Sequence, residues 1–116
     1  MNRNFRLTQS TDFKRVRRSG KSYAHPLVVL VVSPADGEVT RFGVVAGKTV
    51  GKAVQRNRAK RLLREAVRLL LPNIKPGWMA ILVARKPILE ASFIEIQASL
   101  IQLFTRASLL KDSDGK

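Results

Sequence analysis

The chain of 116 residues reads as one α+β domain, a small mixed sheet with helices packed on it, in the order helix, two or three strands, helix, strand, helix. Three observations carry that reading. Residues 27–32 and 78–84 are apolar runs of strand length with proline or glycine close by. Between them, Ala59, Leu62, Leu63, Ala66, Val67, Leu69 and Leu70 fall on one broad arc at helical spacing. A composition that is 45% hydrophobic and 26% charged belongs to a globular chain, and this length supplies one core with no room for a second domain.

Taken in order, Ser10, Thr11 and Asp12 offer an N-cap to a short helix that runs to about Ser19 and stops at Gly20. Phe13 and Val16 share a face of it, and Lys14, Arg15, Arg17 and Arg18 make the rest basic. Residues 27–32 form a strand, residues 34–38 with Asp36-Gly37 turn the chain, and residues 41–46 return as the other half of a hairpin. A flexible stretch over residues 47–51 carries Lys48 and Thr49 into the long basic helix, which Pro72 ends. Residues 78–84 are the last strand, closed by Pro87. Ser92-Phe93-Ile94-Glu95 is a capping box, and Phe93, Ile96, Leu100, Leu103 and Phe104 give the final helix its buried face. The tail from about Lys111 is expected to fray. By the general rule, the strand, basic helix, strand crossover is right-handed.

Charge is the other dominant feature. The formal net charge is +14, and residues 1–85 hold 18 basic against 4 acidic side chains, while residues 86–116 hold 4 of each. The C-terminal quarter is therefore scaffold, and a binding surface for a polyanion lies earlier. Eight basic residues occur between Lys48 and Arg68, with Glu65 the single acid among them. On a helix, Arg56, Lys60, Arg64, Asn57, Arg68 and Arg61 cover most of the side away from the apolar arc. A solvated helix face normally mixes signs, because like charges four residues apart are destabilising by a few tenths of a kcal/mol, about 0.2–0.5. Arg56, Lys60 and Arg64 form such a ladder, so an external anion is expected to offset it. Arg58 projects elsewhere, close to Glu65, and is either a nucleic-acid contact or that carboxylate's partner.

Several classes of chemistry have no support in the residues. His25 precedes Pro26 without a local Cys, His or carboxylate partner, and Asp36 and Glu38 bracket a turn glycine rather than a metal. No catalytic residue and no protein-held metal or cofactor is therefore expected, because two-metal nucleases need convergent carboxylates. There is no cysteine, no secretory h-region and no stretch of membrane-spanning length, which reads as a cytoplasmic protein without a membrane partner. RNA fits better than duplex DNA, since no helix-turn-helix pair is visible. Phe13, Tyr23 and Phe42 lie among basic residues and either stack on unpaired bases or belong to the core.

The run Arg41-Phe42-Gly43-Val44-Val45 through Lys48, followed by Gly51-Lys52-Ala53-Val54-Gln55-Arg56-Asn57-Arg58-Ala59-Lys60-Arg61-Leu62-Leu63-Arg64-Glu65-Ala66, closely resembles the signature of the bacterial ribonuclease P protein component. Arg6-Leu7 with Asp12-Phe13 and Gly20 resembles the family's opening, and Ala84-Arg85-Lys86-Pro87 its element after the last strand. The resemblance implies a ribosomal protein S5 domain 2-like fold with a left-handed β-α-β crossover, against the general rule. It implies a subunit that assists a catalytic RNA in removing the 5′ leader from precursor tRNA, with Mg²⁺ entering through the partner RNA. Arg56, Asn57, Arg58, Lys60, Arg61 and Arg64 match the motif that contacts RNA, and Lys48, Lys52 and Arg68 join that set. Phe13 matches the aromatic of a leader-binding cleft, which also includes Arg17 and Val31. Relatives often carry an aromatic where this chain has Arg17, and some carry one near Val31, so this chain is expected to hold the leader by charge, through Arg17 and Lys48, with little regard to leader sequence. The rival readings are a ribosomal or other structural RNA-binding protein and, behind it, an architectural DNA-binding protein.

Overall fold

Strand β2 (Val28–Pro34) is buried along most of its length, so it needs a hydrogen-bonded neighbour on each edge and cover on each face. The computed structural model describes residues 10–35 and 39–111, with side chains from Phe13 onward, and supplies both. One neighbour is β1 (Lys21–Ala24), antiparallel, with Tyr23 opposite Leu30. The other is β4 (Trp78–Ala84), also antiparallel, with Leu30 opposite Leu82. Strand β3 (Arg41–Val45) lies on the far side of β4 and runs parallel to it, giving the order β1-β2-β4-β3. The remaining elements are α1 (Ser10–Ser19), α2 (Ala53–Leu70) and α3 (Phe93–Arg106), with 3-10 turns at Leu71–Asn73 and Lys86–Glu90.

The hairpin expected between residues 27–32 and 41–46 is not formed, because β4 inserts between those two strands. The hairpin partner of β2 is β1, which the sequence conceals. Three of its four residues are exposed, so it has no apolar run to read. Strand β3 joins β4 through α2, as a parallel pair requires a long crossover. The capping side chains expected at residues 10–12, the Asp36-Gly37 turn, and the chain before residue 10 and after residue 111 lie outside the described residues.

Side chains alternate across the sheet and build two cores of unequal size. Val28, Leu30, Val32, Phe42, Ala80, Leu82 and Ala84 face α2 and α3, whose Leu63, Val67, Leu100, Leu103 and Phe104 seal that side. The opposite face puts Val31, Met79 and Ile81 under Val16 of α1, with Phe13, Val29, Val45 and Val83 only partly buried.

Helix α3 starts where its capping box predicts. Glu95 N donates to Ser92 Oγ at 3.1 Å and Ser92 N donates to Glu95 Oε1 at 2.8 Å. Arg106 near its end donates to Ala24 O at 2.8 Å and lies 5.7 Å from the Tyr23 ring centroid, which ties the helix to the β1 edge. The chain then returns along residues 73–75. Lys75 N donates to Leu109 O and Lys111 N to Asn73 O, each at 2.7 Å, so the backbone is still tied down at Lys111.

Candidate nucleic-acid interface

Helix α2 begins without an acid in its first turn. Instead Lys52 N donates to Gln55 Oε1 at 2.8 Å, so a neutral amide does the capping and the positive end of the helix is left for an anion. Gly51 has φ +156°, and a Cβ there would overlap the Gln55 carboxamide, which accounts for the glycine at the head of the motif. The stretch before it is pinned rather than loose. Val50 is fully buried and its N–H donates to Gly47 O at 3.0 Å, which holds Lys48 and Thr49 out on an exposed turn.

Along α2 the buried line is Ala59, Leu63, Ala66, Val67 and Leu70, narrower than the arc read from spacing. Leu62 is half-buried and Leu69 is 47% exposed, because neither flank of the arc is covered to its edge. Asn57, Arg58, Arg61 and Arg68 are exposed, as is Lys52 before them. The ladder of Arg56, Lys60 and Arg64 is half-buried, a degree of cover that long basic side chains reach while the charged head stays in water.

The partner of Glu65 is Arg68, not Arg58. Arg68 Nε donates to Glu65 Oε1 at 2.9 Å and Arg68 Nη2 donates to Oε2, a two-bond pair one turn apart. The Arg68 hydrogen bond holds the Glu65 carboxyl below its ordinary pKa, and the same bond raises that of Arg68. Arg58, Arg61, Leu62, Arg64 and Glu65 line a shallow depression on this side of the helix. The resulting surface is strongly cationic, with the charge of Arg68 offset by Glu65.

The second candidate surface is the partly covered sheet face. Helix α1 crosses it from β3 to β2, with Val16 fully buried between. At one end Phe13 sits on Gly43, and at the other Gly20 N donates to Val16 O at 2.8 Å. Gly20 is a glycine for closeness: a Cβ would stand 2.7 Å from Val32 O and 2.9 Å from Val31 Cγ1. Beyond α1 the floor stays open over Val29, Val45 and Val83, at the end of the sheet where β3 and β4 finish. Lys48 follows β3 at that end, and Arg85 continues the Val83 side of β4 by alternation. Arg17 is exposed one turn after Phe13 on the same side of α1.

On this face the structure chooses between the two readings of Phe42 and Tyr23 and places Val31 deeper than a cleft residue. Phe42 is 1% exposed, with its ring 5.8 Å from that of Phe104, so it belongs to the sealed core. Tyr23 points to the same sealed side and lies against Arg106. Val31, 8% exposed, is a support beneath α1, and the open position on its strand is Val29. Phe13 alone of the three aromatics is on the open face. Sequence reading missed Val29, Val45, Val83 and Arg85, since which alternate residues share a face depends on a register that only strand pairing reveals. His25 Nδ1 accepts from Leu27 N at 3.1 Å, a local turn contact.

The sequence model of the family described as Ribonuclease P matches residues 1–108. This chain belongs to the ribonuclease P protein family. A ribonuclease P protein component from Herpetosiphon aurantiacus is 42% identical over 114 residues, spanning 98% of this chain and 93% of that one. Another, from Symbiobacterium thermophilum, is 43% identical over 112 residues, spanning 96% and 97%. Among solved structures, the ribonuclease P protein of Staphylococcus aureus superposes with a TM-score of 0.83 at 28% identity, covering 92% of this chain and 98% of that one. The Thermotoga maritima protein gives 0.79 at 28% identity, covering 87% and 96%. The mixed α+β fold with four strands and three helices is thus that of ribonuclease P proteins, and the ribosomal-protein reading has no support.

Proposed function

We propose that this ribonuclease P protein works by position and charge, holding two RNAs at once while the chemistry is done by the RNA subunit. The observation that carries this is the pairing of two unlike surfaces on one small domain: a cationic helix side on α2 and an apolar floor with basic ends beside α1. The α2 cations, Arg56, Asn57, Arg58, Lys60, Arg61, Arg64 and the partly neutralised Arg68 with Lys48 and Lys52, suit the backbone of a folded RNA. The floor beside Phe13 suits a single strand, which here is the 5′ leader of precursor tRNA. Arg17 and Lys48 take its phosphates while the valines accept whatever bases are present, so little leader preference is expected.

Among the described residues no three His, Cys, Asp or Glu side chains come together to hold a metal ion. In this proposal the catalytic Mg²⁺ is held by the RNA, and this chain favours its retention by lowering the repulsion between two polyanions. No described helix is long and apolar enough to cross a membrane, and the proposed reaction on precursor tRNA supports a cytoplasmic location. Contact with about four to six single-strand phosphates gives a slope of log affinity against log salt near −3 to −4.

The test is cleavage of a precursor tRNA at low Mg²⁺ by a bacterial ribonuclease P RNA alone, by the protein alone, and by both. Stimulation only in the mixture is expected. Tight binding to the RNA without stimulation would overturn the proposal.

A further inference from the structure

We propose that Gly43 is a positioning residue: its missing side chain is the seat of Phe13, and it thereby sets the height of α1 over the groove. The inference rests on the reading of that groove as the leader site. Glycine weakens a strand interior, so one in the middle of β3 calls for a reason. A Cβ at Gly43 would overlap Phe13 Cζ and stand 2.5 Å from Cε1 and 3.4 Å from Cε2. The ring therefore enters the sheet tip first and fills the space a side chain would occupy.

The contact is one of two that fix the helix. Gly20 lets the C-terminal end of α1 rest against Val31 and Val32 of β2, and Gly43 lets its N-terminal end rest on β3. Val16 lies between, fully buried with Met79 and Ile81. With both ends grounded, α1 lies flat across the strands. Val45, two residues beyond Gly43 on the same side of β3, is the neighbouring piece of open floor. A methyl at position 43 lifts the ring, and the wall and Arg17 one turn behind it move relative to Val45. The obstacle is the tip of a side chain rather than backbone, so displacement of Phe13, not loss of the fold, is the expected response.

A double-mutant cycle between Gly43→Ala and Phe13→Leu tests this, reading precursor tRNA and mature tRNA binding by the assembled RNA–protein enzyme together with thermal melting of the protein. Leucine is too short to reach the seat. Gly43→Ala should weaken precursor binding by about tenfold, the scale of one lost base-aromatic contact, and leave mature tRNA unchanged. In the Phe13→Leu background the same glycine change should have no effect on either ligand. Equal effects of Gly43→Ala in both backgrounds, or equal losses for both tRNAs, overturn the proposal. If Gly43→Ala melts too low to assay, the double variant must match Phe13→Leu in melting and binding; if it does not, the proposal fails. Phe13→Leu by itself separates the two levels. Unchanged precursor preference removes the leader reading and the seat with it, whereas reduced preference with a silent Gly43→Ala removes only the seat.

Discussion

The two faces of the sheet are drawn from the same strands and the same residue types, yet one is sealed and the other is left open. Neighbouring residues of β2 show it: Val28 and Leu30 are fully buried under α3 and α2, while Val29 between them is only partly covered. Composition does not distinguish these valines. What differs is the cover, two long helices on one side against the ten residues of α1 on the other. The sealed face carries stability, and the open face, with the cationic side of α2, is where binding can occur without dismantling the core.

That division predicts that mutations separate by face. The largest effect is expected inside the sealed core, where Leu63→Ala should cost about 2–5 kcal/mol, a large share of the marginal stability of a domain this size. Chemical denaturation measures it, and a loss well under 1 kcal/mol would mean that the seal is looser than the burial indicates. Phe13→Ala on the open face should cost less stability but weaken precursor tRNA by roughly 1–3 kcal/mol, measured against mature tRNA as the control. Equal losses for both tRNAs would take Phe13 out of the leader site.

Effects on the α2 surface should be smaller and salt-dependent. Arg61→Ala and Arg64→Ala are each expected to weaken binding to the RNA subunit and to flatten the log–log salt slope by about 0.7–0.9, with melting nearly unchanged for the exposed Arg61. Ser92→Ala gives the opposite pattern: it removes the α3 cap and about 1 kcal/mol of stability, with RNA affinity intact. The smallest change is at Glu65. Its pKa is lowered by Arg68, so the pair's contribution is present above the ordinary carboxylate pKa and lost as pH falls through the lowered one. Glu65→Gln frees Arg68 at neutral pH and should tighten RNA binding slightly with a steeper salt slope; weaker binding would show that the carboxylate orients Arg68 for its contact.

How much of this was legible depended on whether the signal was local. The α3 cap, the end of α2 at its first proline and the +14 charge could all be read, because each depends on residues within a turn of one another or on composition alone. The motif from Gly51 to Ala66 pointed to the family, and the comparisons bear it out. The strand β1 could not be read, since its edge position leaves it without an apolar pattern, and the true partner of β2 was hidden with it. Glu65 had basic neighbours on several sides, and only side-chain geometry chose Arg68 over Arg58.

The sequence by itself determined the class, the side of each long helix that faces the core and the concentration of positive charge before residue 86, because helical periodicity and net charge are properties of the chain whatever it packs against. Tertiary structure alone decided the insertion of β4 between β2 and β3, the burial of Phe42 and the placing of Phe13 on the less covered face. It also decided which valines form the open floor and where α1 meets Gly43. The physical reason is that a strand's two sides are equivalent until its neighbours and its cover are in place, so the same alternating pattern is compatible with either face becoming the core.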